Sequence, residues 1–107
     1  MKLLTKKVLA AFKKQGRCDT KKAEDVKIIA KFFNPCGAGT WYATEFSEKD
    51  RIFFGWANLG DDQCAELGSF SLDELESLRC PPFGLPIERD LHFGEHMLSE
   101  VMKGAHL

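Results

Sequence analysis

The sequence has few features of a metal-binding, redox or membrane protein. It contains four cysteines, Cys18, Cys36, Cys64 and Cys80. No two of them form a C-x-x-C pair, the spacing that structural zinc sites and thiol–disulfide enzymes commonly use. No apolar run reaches the roughly 20 residues of a membrane-spanning helix. The opening segment is interrupted by Lys6 and Lys7, unlike a secretory signal. We therefore expect a cytoplasmic protein with free thiols and no cofactor.

Acidic residues are scarce in the first part of the chain, and basic residues are scarce in the rest. Residues 1–31 hold ten basic and three acidic residues, a balance of +7, whereas residues 32–107 hold five basic and thirteen acidic residues, a balance of −8. The two balances sum to the net charge of −1. Solvated surfaces are the ordinary interpretation of such runs. The alternative is a basic N-terminal helix that contacts nucleic acid weakly.

Local patterns predict an α+β fold. Residues 3–16 show apolar positions at helical spacing, with Thr5 as a cap and Gly16 as a stop. Residues 26–33, 40–46, 51–59 and 64–70 predict four strands. In the first of these strands, four alternating residues are expected to share one side: Val26, Ile28, Ala30 and Phe32.

The second half of the chain completes the predicted fold. Ser71 and Glu74 form a capping box before a helix at 71–79, whose Leu72, Leu75 and Leu78 point to the sheet. Residues 87–93 alternate again and predict a last strand or an extended edge. The short connections favour an antiparallel meander of about four to five strands, with both helices packed on it.

Four segments in fixed order resemble one family: "NPCGAGTWYATEF", "RIFFGWANLG", "ELGSFSLDELESLR" and "GLPIERDLHF". Together they resemble the small bacterial family of domains of unknown function numbered 2958, over residues 26–98. The resemblance implies a shared fold and a setting on mobile genetic elements, and it implies no particular reaction. The chain is then one domain, 1–107: a basic helix and connector at 1–25, the family-like core at 26–98 and a tail at 99–107.

The motif His92-Phe93-Gly94-Glu95-His96 has the H-x-x-E-H spacing of some zinc peptidases. That site requires a helix, because residues i and i+4 then present both imidazoles to one metal. Gly94 and the preceding alternation instead favour extended backbone, in which the two histidines lie about 13 Å apart. We expect no metal here.

Glu88, Asp90 and His92 are the candidate catalytic residues. On an extended strand they share one side at about 7 Å intervals, and a carboxylate beside an imidazole is suited to acid–base chemistry. The alternative is a solvated sheet edge. No serine or cysteine nucleophile can be assigned to this histidine.

Aromatic side chains on neighbouring predicted strands are the candidate binding residues: Trp41, Tyr42, Phe54 and Trp56. Aromatics most often fill a core, but an exposed aromatic patch marks a partner surface. The sequence leaves two arrangements open, an exposed sheet face and a sheet covered on both faces. We expect a binding module, contacting a partner protein or a second copy, and not an enzyme; a small hydrolase or nuclease and a weak nucleic-acid binder remain alternatives.

Overall fold

A computed structural model describes residues 2–107 and contains three α-helices and seven strands. The helices are α1 (Lys6–Gln15), α2 (Leu72–Ser77) and α3 (Leu98–Met102). The strands are β1 (Ala30–Phe33), β2 (Thr40–Ser47), β3 (Ile52–Asn58), β4 (Glu66–Ser71), β5 (Arg79–Cys80), β6 (Leu85–Pro86) and β7 (Glu88–Arg89). This confirms the α+β class and the order of the predicted elements.

Five strands form the main sheet in the order β4-β3-β2-β1-β7, and β5 pairs with β6 in a separate hairpin. Every neighbouring pair is antiparallel. Short connections dictate this, because parallel strands need a crossover of a dozen or more residues. The meander from β1 to β4 was predicted, and β7 adds the extended edge that the alternation at 87–93 indicated.

A β-bulge in β2 sets the two faces of the sheet. Its pairing with β3 shifts between Ala43 and Glu45, so one extra residue is accommodated there. Directly opposite, Gly55 pairs with Ala43. A Cβ atom on Gly55 would lie only 1.9 Å from the Tyr42 carbonyl oxygen. Glycine is therefore required where the two backbones approach.

One face of the sheet, here called the helical face, is covered by α1 and α2. Phe53 lies at its centre, fully buried, with Phe32, Phe46 and Phe70 at ring-centroid distances of 5.0, 4.7 and 5.6 Å. Phe12 of α1 packs on the same ring at 5.6 Å. Burying one phenylalanine side chain contributes about 1.5–3 kcal/mol to the free energy of unfolding. Because this cluster buries several of them, it stabilises the fold more than the core on the opposite face of the sheet does.

The opposite face, here called the groove face, carries a second core. Tyr42 packs there with Leu98 and Val101 of α3, and Trp56 is partly buried against them. The sheet is thus covered on both faces where α3 lies, which is the second of the two arrangements that the sequence left open. A helix of five residues spans only about 7.5 Å, so α3 covers part of this face and leaves the rest open.

The prediction that residues 26–32 alternate on one face is wrong. Val26 and Ile28 pack in the core of the groove face, whereas Ala30 and Phe32 pack on the helical face. Regular pairing begins only at Ala30. Before it, the chain bonds to the segment that precedes α3, where the Ile28 amide donates to the His96 carbonyl at 2.9 Å.

The helix ends follow local chemistry. Thr5 caps α1 by accepting from the Val8 amide at 3.2 Å, and Gly16 ends it at a φ of 67°. Ser71 caps α2 by accepting from the Glu74 amide at 3.2 Å. However, α2 ends at Ser77, and Leu78 is extended and exposed, so the prediction that Leu78 faces the core is wrong.

The β5–β6 hairpin was not predicted. It encloses a cis Pro81–Pro82 bond and places Phe83, 78% exposed, near its tip. Its prolines had indicated only that α2 must end. Among residues 2–107, no helix has the length and apolar character needed to cross a bilayer.

We predict that Gly55→Ala lowers the free energy of unfolding by about 3 kcal/mol, because the added methyl group collides with the backbone of β2. Gly68→Ala on β4 is the matched control, since a Cβ there meets no atom within 4 Å. Urea denaturation followed by tryptophan fluorescence measures both. Equal midpoints for the two variants would contradict this account of the bulge.

Candidate binding groove

Nine large apolar side chains are exposed in the part of the chain that the structure describes, and four of them are neighbours. These four, here called the apolar strip, are Ile52 (37% exposed), Phe54 (38%), Leu67 (40%) and Met102 (40%). Strand alternation places Ile52 and Phe54 on the groove face with Trp56. Leu67 pairs with Trp56 from β4 and so lies on the same face. The apolar strip adjoins the covered core of the groove face, but its own side chains are exposed to solvent.

Three residues of the apolar strip, Phe54, Leu67 and Met102, line a groove of about 600 Å³. Phe54 and Leu67 line its floor, and Leu98 and Met102 of α3 line one wall. The connector after α1 forms the facing wall, with Cys18 and Val26 among its lining residues. The volume falls in the range of about 300–1,000 Å³ typical of small-molecule binding sites.

A second depression, of about 620 Å³, adjoins the first. The two share Arg17, Glu45 and Phe54 as lining residues, so they meet at the bulge. Ile52 and Ser69 line the second depression, which extends the site along the β3 and β4 side of the sheet.

The bulge in β2 shapes the rim of the groove. Because it accommodates one extra residue, Thr44 and Glu45 both line the groove, whereas Phe46 packs on the helical face. Thr44 is buried, and its hydroxyl donates to the Phe54 carbonyl at 3.1 Å. Burial and the Glu45 carboxylate raise the pKa of the Cys18 thiol. Cys18 therefore stays neutral and adds apolar surface to the groove wall.

The groove wall formed by α3 depends on a one-way contact in which the Glu100 side chain caps the Met97 amide. Glu100 accepts from the Met97 amide at 2.6 Å and lies 3.3 Å from Nδ1 of His96. These two contacts, the Met97 amide first, lower the pKa of Glu100. An ionised Glu100 thus ties the first turn of α3 to the segment before it.

The structure separates the four predicted binding aromatics. Trp41 packs on the helical face, partly buried. Tyr42 is 5% exposed in the core of the groove face, and burial raises the pKa of its hydroxyl. Trp56 is half-buried beside α3. Three of the four therefore share the groove face, but only Phe54 belongs to the apolar strip.

The three predicted catalytic residues lie at the β7 edge and do not converge. The His92 amide, and not its ring, donates to Asp90 at 2.9 Å. Asp90 also lies 3.6 Å from the Lys31 ammonium. In residues 2–107, no hydrogen bond joins the His92 ring to Glu88 or Asp90. The carboxylate of Asp90 therefore stabilises a turn and an ion pair.

The H-x-x-E-H segment is not helical. Gly94 has a φ of 76°, and α3 begins only at Leu98. His96 contacts Glu100, and Glu95 bonds to Lys27 at 2.8 Å. Within the described range 2–107, the His, Cys, Asp and Glu side chains form no group of three able to hold a metal ion.

A histidine–carboxylate pair that sequence reasoning missed joins His106 to Asp62, with 3.0 Å between Nε2 and Oδ2. Asn58 donates to the other Asp62 oxygen at 2.8 Å, and this bond is the main cause of the lowered pKa of Asp62. The residues are 44 positions apart, so no local motif connects them. Both side chains are exposed, and the pair fastens the tail to the β3–β4 turn.

The exposed lysines of α1 share one side of the helix: Lys6, Lys7, Lys13 and Lys14. They form two pairs separated by seven residues, a spacing that nearly superimposes side chains in a helix of 3.6 residues per turn. Lys13 is also 3.0 Å from Glu48. The four lysines therefore form two pairs on the exposed side of α1, away from its buried residue Phe12.

Comparison with known protein families covers nearly the whole chain, including both walls of the groove. The chain belongs to the family described as "Protein of unknown function (DUF2958)", which matches residues 3–107. The match is longer than the residues 26–98 on which the resemblance rested. It includes α1, α3 and the connector, so the groove walls are part of the family domain. No curated protein and no solved structure matches the chain.

We predict that the Met97 amide proton shift titrates with a midpoint below the ordinary glutamate pKa of about 4.3. The lowered pKa means that Glu100 stabilises the fold above that value, and that this contribution is lost as pH falls through the folded-state pKa. Nuclear magnetic resonance from pH 2 to pH 6 measures the shift. Glu100→Gln should abolish the titration.

The control is Glu95→Gln, which removes a nearby glutamate that bonds to Lys27. This variant should retain the Met97 titration. A Met97 amide that is insensitive to pH in the unmodified protein would show that Glu100 does not hold the start of α3.

Proposed function

We propose that the protein is a binding module that holds an apolar segment of a partner protein in the groove. The observation that carries this is the apolar strip: Ile52, Phe54, Leu67 and Met102 are each more than one-third exposed on a continuous concave surface. Contiguous apolar surface of this kind is characteristic of interaction sites in soluble proteins. Scattered single apolar residues would carry no such inference.

The exposed apolar side chains are held on a rigid backbone, which favours a binding role over incidental exposure. Phe54 and Leu67 project from paired strands, and the backbone beneath Phe54 is fixed by the Thr44 hydroxyl. Binding sites on strands are held more precisely than sites on loops. Arg17 and Glu45 on the rim supply charged groups of both signs, as is typical of the polar rim of a protein interface.

The family resemblance supports a setting for this binding. The related domains that the motifs resemble occur on plasmids, phages and other mobile elements, and we include that setting in the proposal. A gene lying in a chromosomal operon without integrase, transposase or plasmid genes nearby would contradict it. The protein-binding proposal does not depend on this setting.

The direct test is site-specific photocrosslinking in the host cell. The photoreactive residue p-benzoylphenylalanine is placed at position 54, and a discrete covalent adduct with a partner protein is expected. Met102→Lys, on the α3 wall, should reduce adduct yield at least tenfold, because it places a charge in the apolar site. The helix itself should tolerate this change, because a lysine near the C-terminal end of a helix interacts favourably with the helix dipole.

The matched control is Leu91→Lys. Leu91 is 59% exposed and lies near β7, the strand at the edge of the sheet opposite to β4. This variant should leave the adduct unchanged. An adduct from position 54 that resists Met102→Lys, or none above the level obtained with the photoreactive residue at position 91, would overturn the proposal.

The cationic side of α1 supports a second candidate function, weak and sequence-independent contact with nucleic-acid phosphates. Beyond the four lysines on the helix, Lys21 and Lys27 line a depression of about 300 Å³ together with Lys14. Lysine clusters without base-reading partners bind through the phosphate backbone. The expected dissociation constant is about 10⁻⁴–10⁻⁶ M at physiological salt.

We predict that a 20-base-pair duplex binds with an affinity that falls steeply with salt. Replacing all four α1 lysines with glutamine should flatten the slope by about 0.9 for each lost phosphate contact. Fluorescence anisotropy at several salt concentrations measures this. The control replaces Lys49 and Lys103 with glutamine. An identical slope in the α1 variant and the control would exclude α1 as the contact.

A further inference from the structure

The outer edge of β4 has backbone groups that no strand occupies. The Leu72 amide donates to the Arg51 carbonyl at 3.0 Å, which makes these two residues a hydrogen-bonded pair. In an antiparallel ladder such pairs alternate with non-bonded ones. Leu67 and Ser69 fall at non-bonded positions, so their N–H and C=O groups point away from β3.

An independent contact supports this assignment. The Thr44 hydroxyl donates to the Phe54 carbonyl, so the Phe54 backbone points toward β2 and not toward its β4 partner, Ser69. Among the backbone hydrogen bonds of residues 2–107, none occupies the outward groups of Leu67 or Ser69. Both residues are exposed. The edge therefore offers two free donors and two free acceptors.

The features that usually protect an edge strand are missing from β4. Natural edges are protected by lysine, proline, a bulge or a covering element. The sequence of β4, Glu66–Ser71, contains one charge, no lysine and no proline, and its pairing with β3 has no bulge. Leu67 on this edge also lines the groove, so backbone edge and apolar groove are adjacent.

The charges around β4 indicate which kind of partner segment can bind at this edge. Residues 52–78 contain six carboxylates and no lysine or arginine. The carboxylates are Asp61, Asp62, Glu66, Asp73, Glu74 and Glu76. Arg51 engages Asp73 and Glu76, while Asp61 and Glu66 stay exposed around the start of β4. Two copies paired edge to edge would bring like charges together, whereas a basic segment would complement them.

We propose that β4 binds an extended segment of a partner protein as an added strand, with alternate apolar side chains in the groove and Lys or Arg at its ends. This rests on the proposed protein-binding function and specifies its mode. Main-chain hydrogen bonds to Leu67 and Ser69 supply affinity, and the pockets beside Phe54 and Leu67 select every second side chain. Leu67 and Ser69, two residues apart on β4, line the two adjoining depressions, as an extended occupant beside this strand requires.

The test uses an acetylated ten-residue peptide with valine and threonine alternating over six positions and two lysines at each end. Binding is followed by nuclear magnetic resonance. Hydrogen exchange of the Leu67 and Ser69 amides should slow at least tenfold in the complex. Ser69→Pro should weaken binding at least tenfold, because it removes an outward donor and no bond to β3. Ser69→Ala keeps the donor and measures what loss of the hydroxyl alone contributes, and the proline variant should bind at least tenfold more weakly than this alanine variant.

A second peptide with glutamates in place of the lysines should bind at least tenfold more weakly. If the first peptide loses affinity with Met102→Lys but not with Ser69→Pro, and the two amides stay unprotected, strand addition is overturned while the groove proposal stands. If the first peptide does not bind, the proposed chemistry of the occupant is overturned. A molar mass of two chains in the unmodified protein, halved by Ser69→Pro, would show that a second copy occupies the edge.

Discussion

The extra residue at Thr44 and Glu45 is the constraint on which the arrangement of this sheet depends. A one-residue shift in a strand reverses which side every following side chain faces. Here the bulge leaves Ala43 and Phe46 both on the helical face and places Thr44 and Glu45 beside the groove. It requires Gly55 on the next strand, where the two backbones nearly touch. The same bulge therefore determines both the packing of the helical face and the residues at the rim of the groove.

The two faces of the sheet are covered to different extents. On the helical face, α1 and α2 surround Phe53 with aromatic and leucine side chains and complete a core. On the groove face, α3 is too short to extend over Phe54 and Leu67, and no other element in residues 2–107 buries them. The exposed strip is thus a direct consequence of helix length. The same short helix, fastened by Glu100, supplies the wall that turns an exposed face into a groove.

Much of this fold could be predicted from local chemistry. Thr5, Gly16 and Ser71 mark helix ends through capping, and the β-rich segments are apolar, aromatic and short. The bulge could not be predicted, because nothing in "WYATEF" shows which residue is extra until the strand pairs with Gly55. For the same reason the alternation from Val26 to Phe32 indicated one face, although the chain passes from one core to the other between Ile28 and Ala30. The groove was also missed: Leu67 and Met102 have no local signal, and only the tertiary structure brings them to Phe54.

The proposed binding site requires an apolar strip that is open to solvent in the isolated chain. A soluble gadolinium chelate broadens the nuclear magnetic resonance signals of exposed side chains. At low protein concentration we expect strong broadening for the side chains of Ile52, Phe54, Leu67 and Met102, and little for Leu72 and Leu75 in the helical core. Equal protection of both sets would show that the groove face is closed and would contradict the account.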